Sequence, residues 1–184
     1  MVAGGGYGLP AGYSVLFDEA AITARLDAMA GELAEIVDDG WTIVSLLQGA
    51  MPFTVDLMRG LSRRGVHPIL DSLWLESYRD AKESSGRVVV RADLCRPLAG
   101  RPVLILDDVF DTGRTIAFAR AHLAAKGAPR TLAAAFIRKP PAIGQEIDYF
   151  GFDAPDRYLL GYGMDDAGRF RGLPIVAVMD ETLN

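Results

Sequence analysis

One cysteine, Cys95, is all the chain has. That excludes an internal disulfide and any cysteine-rich metal site, and it accords with a reducing cytosol. Histidine is nearly as scarce: His67 and His122 are isolated, with no second histidine or cysteine at ligand spacing, which argues against zinc. No run of about 18 apolar residues occurs, so no membrane span is expected. The formal net charge of -5 lacks the basic excess of a general nucleic-acid binder. Neither an internal repeat nor a low-complexity tract is present. Residues 1–13 are glycine-rich, without a basic flank or long apolar core, and are expected to be a flexible N-terminus instead of a signal peptide. With no targeting signal, the expected location is the cytoplasm.

What is present suffices for one well-filled core: 184 residues, 50% of them hydrophobic, with residues 14–184 read as a single domain. Between Asp18 and Val37 the residues Ile22, Leu26, Met29, Leu33 and Ile36 make one stripe of an amphipathic helix, closed by Asp39-Gly40. Trp41 to Leu47 reads as a strand, and Phe53 to Arg64 as a helix with Phe53, Leu57 and Leu61 on one side. Ile69 to Tyr78 and Arg87 to Arg91 read as two strands of a hairpin, joined by the polar loop Arg79 to Gly86. Thr131 to Ile137 is a further strand, ended before Pro140-Pro141 because consecutive prolines cannot continue a ladder. Tyr149 to Asn184 reads as short extended pieces broken by glycines and prolines, with Ile175 to Met179 as the last strand. Trp41 and Trp74 read as core. Strands alternating with helices predict an α/β fold with a mainly parallel central sheet flanked by helices.

The chemistry concentrates in Val103 to Thr115. Val103-Leu104-Ile105-Leu106 reads as a buried strand that ends in Asp107, Asp108 and Asp111, followed by Thr112-Gly113-Arg114-Thr115 and an alanine-rich helix. Ligands of open α/β sheets bind outside the carboxyl ends of strands. Amide groups at a helix N-terminus have no internal partners and favour an anion, so this turn suits a phosphate. Three neighbouring carboxylates repel unless a cation or a hydroxyl-bearing ligand answers them. The same pattern is also that of an ordinary turn in which Asp111 caps the helix. The turn lacks the glycine spacing and terminal lysine of a Walker loop, which points to a single phosphate instead of nucleoside triphosphate hydrolysis. Leu47-Gln48-Gly49 offers a second set of amides at a neighbouring strand end. Lys139, Tyr158 and the loop acids Asp165 and Asp166 are candidates for a ligand donor, a stacking ring and a Mg²⁺ site, each with the ordinary alternative of a solvated or core residue.

Taken together, these stretches resemble the hypoxanthine-guanine phosphoribosyltransferases of the type I phosphoribosyltransferase superfamily. The resemblance runs from about Ser14 to Met179. It includes Leu46-Leu47-Gln48-Gly49, Ser77-Tyr78, the Val103 to Thr115 stretch, Lys139-Pro140, Gly161-Tyr162-Gly163-Met164-Asp165 and Arg171-Gly172-Leu173-Pro174. It implies that superfamily's fold, with a small hood over the sheet. The implied reaction is transfer of 5-phosphoribose from 5-phosphoribosyl 1-pyrophosphate to hypoxanthine or guanine in purine salvage, with Mg²⁺ as cofactor and a homodimer or homotetramer as the assembly. Alternatives are transfer to another base, or a catalytically weak regulator that senses a phosphoribosyl ligand.

Carried onto this chain, the resemblance gives Thr112, Gly113, Arg114 and Thr115 the 5′-phosphate, and Asp107 and Asp108 the ribose hydroxyls. Asp111 becomes the general acid/base near N7 of the purine. Gln48, Gly49 and Arg171 fall at the pyrophosphate, and Asp165 at both the base and the metal. Lys139 falls at the 6-oxo group, Tyr158 on the base face and the Leu159 backbone at its edge. Ser77 and Tyr78 belong to a flexible loop that closes over the site. The chain departs from the family pattern where Gln48 replaces a usual lysine, Asp107 a glutamate, Asp166 an aromatic residue and Arg138 an acid.

Overall fold

The computed structural model of the chain describes residues 6–78, 87–140 and 147–181. In chain order its elements are β1 (Tyr13–Phe17), α1 (Glu19–Ala34), β2 (Thr42–Leu47), α2 (Met51–Ser62), β3 (Ile69–Tyr78), β4 (Arg87–Ala92), β5 (Val103–Phe110), α3 (Arg114–Ala125), β6 (Thr131–Arg138), β7 (Tyr149–Asp153), β8 (Leu159–Leu160) and β9 (Val176–Met179). The main sheet is six-stranded with the order β4-β3-β2-β5-β6-β7, parallel throughout except where β3 meets β4. A second, antiparallel sheet of order β1-β9-β8 forms the hood. The α/β class, the mainly parallel sheet and the hood are as the sequence implies.

Period-two alternation on β5 explains why both sheet faces are covered. Leu104 and Leu106 pack with Phe53, Leu57 and Leu61 of α2 and Leu26, Met29 and Leu33 of α1, whereas Val103 and Ile105 pack with Ile116, Ala119 and Leu123 of α3. Each fully buried side chain of this kind contributes roughly 1.5–3 kcal/mol. α1 starts at Asp18, whose carboxylate accepts the Ala21 amide at 2.8 Å. It packs tightly on α2, since a Cβ on Gly60 would stand 2.6 Å from that of Ala30. Arg25 reaches from α1 to the Phe150 and Gly151 carbonyls at 2.7 and 2.9 Å, covering the open edge of β7.

Several expectations change. β5 does not stop at Leu106 but runs through the acids to Phe110, because β6 continues to pair with it at Asp107, Val109 and Phe110. α1 ends at Ala34, so Ile36 lies outside the helix and is exposed, and Val37 is buried in its place. Trp74 is not core: it is 41% exposed, on the β3 face that alternates with buried Asp71 and Leu73. Leu70, on the same face of β3, is exposed too and lines a shared surface hollow with the exposed Met51 and Val55 of α2. The boundary at residue 13 also moves, because Tyr13 opens β1 opposite Met179 and the Gly12 carbonyl accepts the Asp180 amide at 2.8 Å. β1 was absent from the sequence reading. The loop expected from Arg79 to Gly86 lies outside the described residues.

Candidate active site

Because β2, β5 and β6 are parallel neighbours, their carboxyl ends at Leu47, Phe110 and Arg138 open on one edge. Each end feeds a segment marked in the sequence: Gln48-Gly49, Asp111 to Thr115, and Lys139. The Lys139 amide donates to the Phe110 carbonyl at 2.9 Å, so the lysine is held against the start of the Asp111 turn.

α3 begins at Gly113, whose φ of 72° is a left-handed conformation that favours glycine. No side chain caps this helix, so the alternative in which Asp111 serves as the cap is not realised. The first-turn amides of α3 are therefore uncapped, beside a half-buried Asp111, with Thr112 and Arg114 exposed and Thr115 half-buried. Uncapped first-turn amides of this kind are donors that an anion can take.

Upstream, the two adjacent acids face different surroundings. Asp107 is only 6% exposed, and its Oδ1 accepts the Asp108 amide at 3.1 Å. Burial, and then the neighbouring Asp108 carboxylate, push the Asp107 carboxyl well above the usual carboxylate range. Asp108 is half-buried and lies against the Gln48-Gly49 loop: a Cβ on Gly49 would stand 1.8 Å from Asp108 Oδ2. Glycine is required there so that the amide-bearing loop and the carboxylate can sit together. The Leu47–Gln48 peptide is cis, and Gln48 is exposed.

The hood loop closes on this edge from the opposite side. Gly163 sits directly on the Gly49 carbonyl, 1.8 Å from where its own Cβ would be, and its φ is +99°. Arg171 donates to the Gly163 carbonyl at 2.6 Å and pairs with Asp165 Oδ1 at 2.6 Å. The other Asp165 oxygen accepts the Gly168 amide at 2.7 Å. Tyr158 is 47% exposed, so it is free of the core, and its hydroxyl donates to the Asp165 carbonyl at 2.9 Å. Lys139 Nζ donates to the Arg157 carbonyl at 2.7 Å, and Leu159 is buried in β8. The structure thus links Gly49 with Asp108, Gly163 with Gly49, and Arg171 and Tyr158 with Asp165.

Two of the departures from the family pattern receive a physical account. Arg138 is paired with Asp153, its register partner across β6 and β7, at 2.7 and 3.0 Å, and its guanidinium lies 3.6 Å from the Phe150 ring centroid. The arginine therefore serves the sheet edge. Asp166 is bridged through its backbone to Arg169 within the hood loop. Ser77 and Tyr78 are the last residues of β3, paired with Val88 and Arg87, while the loop they lead into lies outside the described residues.

Sequence reasoning missed Tyr162 and Asp56 as contributors to this region. Tyr162 is 5% exposed, packs its ring on Phe136 at 4.5 Å between centroids, and donates its hydroxyl to Asp56 Oδ2 at 2.7 Å. Burial, then the Asp56 carboxylate, push this hydroxyl far above its ordinary range, so it stays a donor. The Gly-Tyr-Gly triplet was the available signal, but its partner is 106 residues away. Among the described residues no three His, Cys, Asp or Glu side chains gather as a metal site.

This sheet, its hood and the phosphate-type turn at the end of β5 are the architecture of a type I phosphoribosyltransferase. Residues 18–165 match the phosphoribosyl transferase domain family. Over 168 residues the chain is 30% identical to the hypoxanthine-guanine phosphoribosyltransferase of Bacillus subtilis, covering 90% of this chain and 92% of that one. It is 32% identical over 168 residues to the bifunctional protein TilS/HprT of Listeria innocua, covering 90% of this chain and 26% of that longer protein. A solved hypoxanthine-guanine-xanthine phosphoribosyltransferase superposes with a TM-score of 0.79 at 27% identity, covering 91% of this chain and 97% of that one. The chain belongs to the hypoxanthine-guanine phosphoribosyltransferase family.

Proposed function

We propose that the protein transfers 5-phosphoribose from 5-phosphoribosyl 1-pyrophosphate to hypoxanthine or guanine, releasing pyrophosphate, as a step of purine salvage. The observation that carries this reading is the closure of the hood on the sheet edge, with Gly163 seated on Gly49 and Gly49 on Asp108 beside the uncapped start of α3. On this reading the α3 start would hold the phosphate, Asp107 and Asp108 the ribose, and Arg171 the leaving group, all at one edge.

In the step, the C1′–oxygen bond to pyrophosphate breaks, with the electron pair leaving on pyrophosphate, and a bond forms from C1′ to a purine nitrogen. Amides of Thr112 to Thr115 would hold the 5′-phosphate, and Asp107 and Asp108 the ribose hydroxyls. Arg171 and the Gln48-Gly49 amides would stabilise the charge that develops on the departing oxygens. Asp111 would take the proton that the base sheds. Lys139 would donate to the 6-oxo group, Tyr158 would stack on the base, and the Leu159 backbone would read its edge. Ser77 and Tyr78 would lead into the loop that excludes water.

Mg²⁺ fits the donors present. Asp165 would offer one hard oxygen ligand, its oxygens now engaged by Arg171 and the Gly168 amide, and Mg²⁺ characteristically takes one or two carboxylates and completes its shell with substrate phosphates and water. When bound, it supplies positive charge to the leaving pyrophosphate.

No helix among the described residues is long and apolar enough to cross a membrane. The location proposed is the cytoplasm, where the family resemblance puts a purine-salvage step. The exposed face of Met51, Val55, Leu70 and Trp74 supports a homodimer or homotetramer, a second copy burying it. Nucleic acid is not among the proposed partners.

Incubating the protein with Mg²⁺, 5-phosphoribosyl 1-pyrophosphate and each of hypoxanthine, guanine, xanthine and adenine tests the reading. Nucleotide from hypoxanthine or guanine supports it. Product from another base alone redirects it to that base, and none from any base overturns it.

A further inference from the structure

The hood loop is held to the core at a point remote from the residues assigned to substrate. Tyr162 lies in the tight loop in which Gly161 and Met164 exchange backbone hydrogen bonds, and its φ is 46°. Its ring rests on Phe136 of β6, and its hydroxyl reaches Asp56 Oδ2 on α2 at 2.7 Å. Both residues line a cleft of about 290 Å³ between α1, α2 and the hood, whose other walls include Glu19, Ile22 and Arg59. None of the residues assigned to phosphate, ribose or base lines that cleft.

Each end of this bond continues into an anion-binding piece. α2 begins at Met51, directly after Gln48-Gly49-Ala50, so fixing Asp56 fixes the helix that carries the pyrophosphate amides. Gly163 follows Tyr162, meets the Gly49 carbonyl, approaches Pro52 of α2, and accepts a hydrogen bond from Arg171 through its own carbonyl. Tyr162 and Asp56 therefore close a ring of contacts: Asp56, α2, Gly49, Gly163, Tyr162. The spacing between the Gly49 amide loop and Arg171 depends on that ring staying closed.

We propose that the Asp56–Tyr162 hydrogen bond is a positioning strut that sets the distance between the two pyrophosphate-binding pieces, Gln48-Gly49 and Arg171. This rests on the phosphoribosyl-transfer reading above. The strut acts through other residues and touches no substrate, so its signature is selective. Opening it loosens the pyrophosphate end more than the base end, where Lys139 is held by the Arg157 carbonyl and Leu159 by its pairing with Val178, both outside the ring.

The test compares Tyr162→Phe, Asp56→Ala and Asp56→Asn with the wild type, measuring KM for 5-phosphoribosyl 1-pyrophosphate, KM for the base, kcat, and pyrophosphate affinity by calorimetry. Tyr162→Phe and Asp56→Ala are expected to raise the first KM and weaken pyrophosphate binding by about tenfold, the scale of one hydrogen bond to a charged group. KM for the base and kcat should stay within about twofold. Asp56→Asn keeps an acceptor for the tyrosine while losing the ion pair with Arg59, so it should restore near wild-type pyrophosphate binding. The double variant Tyr162→Phe/Asp56→Ala should be no worse than either single one. Unchanged pyrophosphate binding, both KM values rising together, or Asp56→Asn behaving as Asp56→Ala would each overturn the strut. Wild type that binds pyrophosphate yet serves no base overturns the functional reading, while the calorimetric comparison still decides the strut. An active wild type matched by its variants overturns the strut alone.

Discussion

The two halves of the site are held by different means. The phosphate half, Asp107 to Thr115, is one unbroken piece of chain: a strand flanked on both sides by parallel neighbours runs straight into a helix. Its geometry follows from backbone hydrogen bonds and one left-handed glycine. The hood half is assembled from residues scattered between Tyr158 and Arg171, and its position rests on contacts across the chain: Gly163 on Gly49, Tyr162 on Asp56 and Lys139 on Arg157. The exposed side chains of the first half, Thr112 and Arg114, can be changed with little cost to the scaffold, whereas in the second half the scaffold is partly made of the contacts themselves.

The sharpest challenge to that contrast is Gly163→Ala. The new methyl would meet the Gly49 carbonyl and adopt a strained φ, so a destabilisation of about 3 kcal/mol is expected together with loss of transferase activity. Denaturant titration measures it, and a variant as stable as the wild type would remove the contact from the account. Asp111→Asn probes the other half. Turnover should fall by roughly 10²-fold or more with the unfolding midpoint unchanged, because the side chain caps nothing. A fall in stability of the same relative size would erase the difference between the halves.

Acid acts on the outer support of the phosphate half. Burial raises the Asp93 carboxyl, but hydrogen bonds from His122 of α3, from Lys126 at its C-terminal cap and from the Leu94 amide prevail and bring it down to about 2. A depressed folded value means the stabilisation is complete above the unfolded value of 3.8 and is lost as pH falls through about 2. The pair is partly exposed, so the effect should stay below about 1 kcal/mol. Unfolding midpoints between pH 5 and pH 2 for wild type and Asp93→Asn should converge at the acid end, and parallel curves would exclude the pair as the cause. The smallest expected effect is that of Arg138→Ala. Its pair with Asp153 is exposed and screened by solvent, so the unfolding midpoint should barely move, and the ratio of hypoxanthine to guanine turnover should not move. A changed ratio would return Arg138 to the base pocket.

The contrast also explains what could be read before the fold was known. Strands and helices of the core announce themselves locally: Leu104 and Leu106 against Val103 and Ile105, or Ile22, Leu26, Met29 and Leu33 along α1, carry their period in adjacent residues. The strand-turn-helix form of Val103 to Ala125 was legible for the same reason. β1 was not, because its reason to be a strand is β9, at the far end of the domain. Nor was the exposure of Trp74, since an apolar residue on a strand does not say whether a helix covers its face. The extension of β5 through two aspartates ran against propensity and was decided by pairing with β6. Asp56 and Tyr162 look like an ordinary helix surface acid and an ordinary aromatic until the hood is in place.

The pairing of β1 with β9 sets an order of events during synthesis. Every strand of the main sheet lies between these two in the chain, so the sheet and its helices can form while the last hood strand is still to be translated. Before then β1 has no neighbour in its sheet, because β9 lies between it and β8. A nascent chain would therefore carry the turn at Asp111 to Thr115 with no hood above it, and the seating of Gly163 on Gly49 would arrive last, with Val176–Met179.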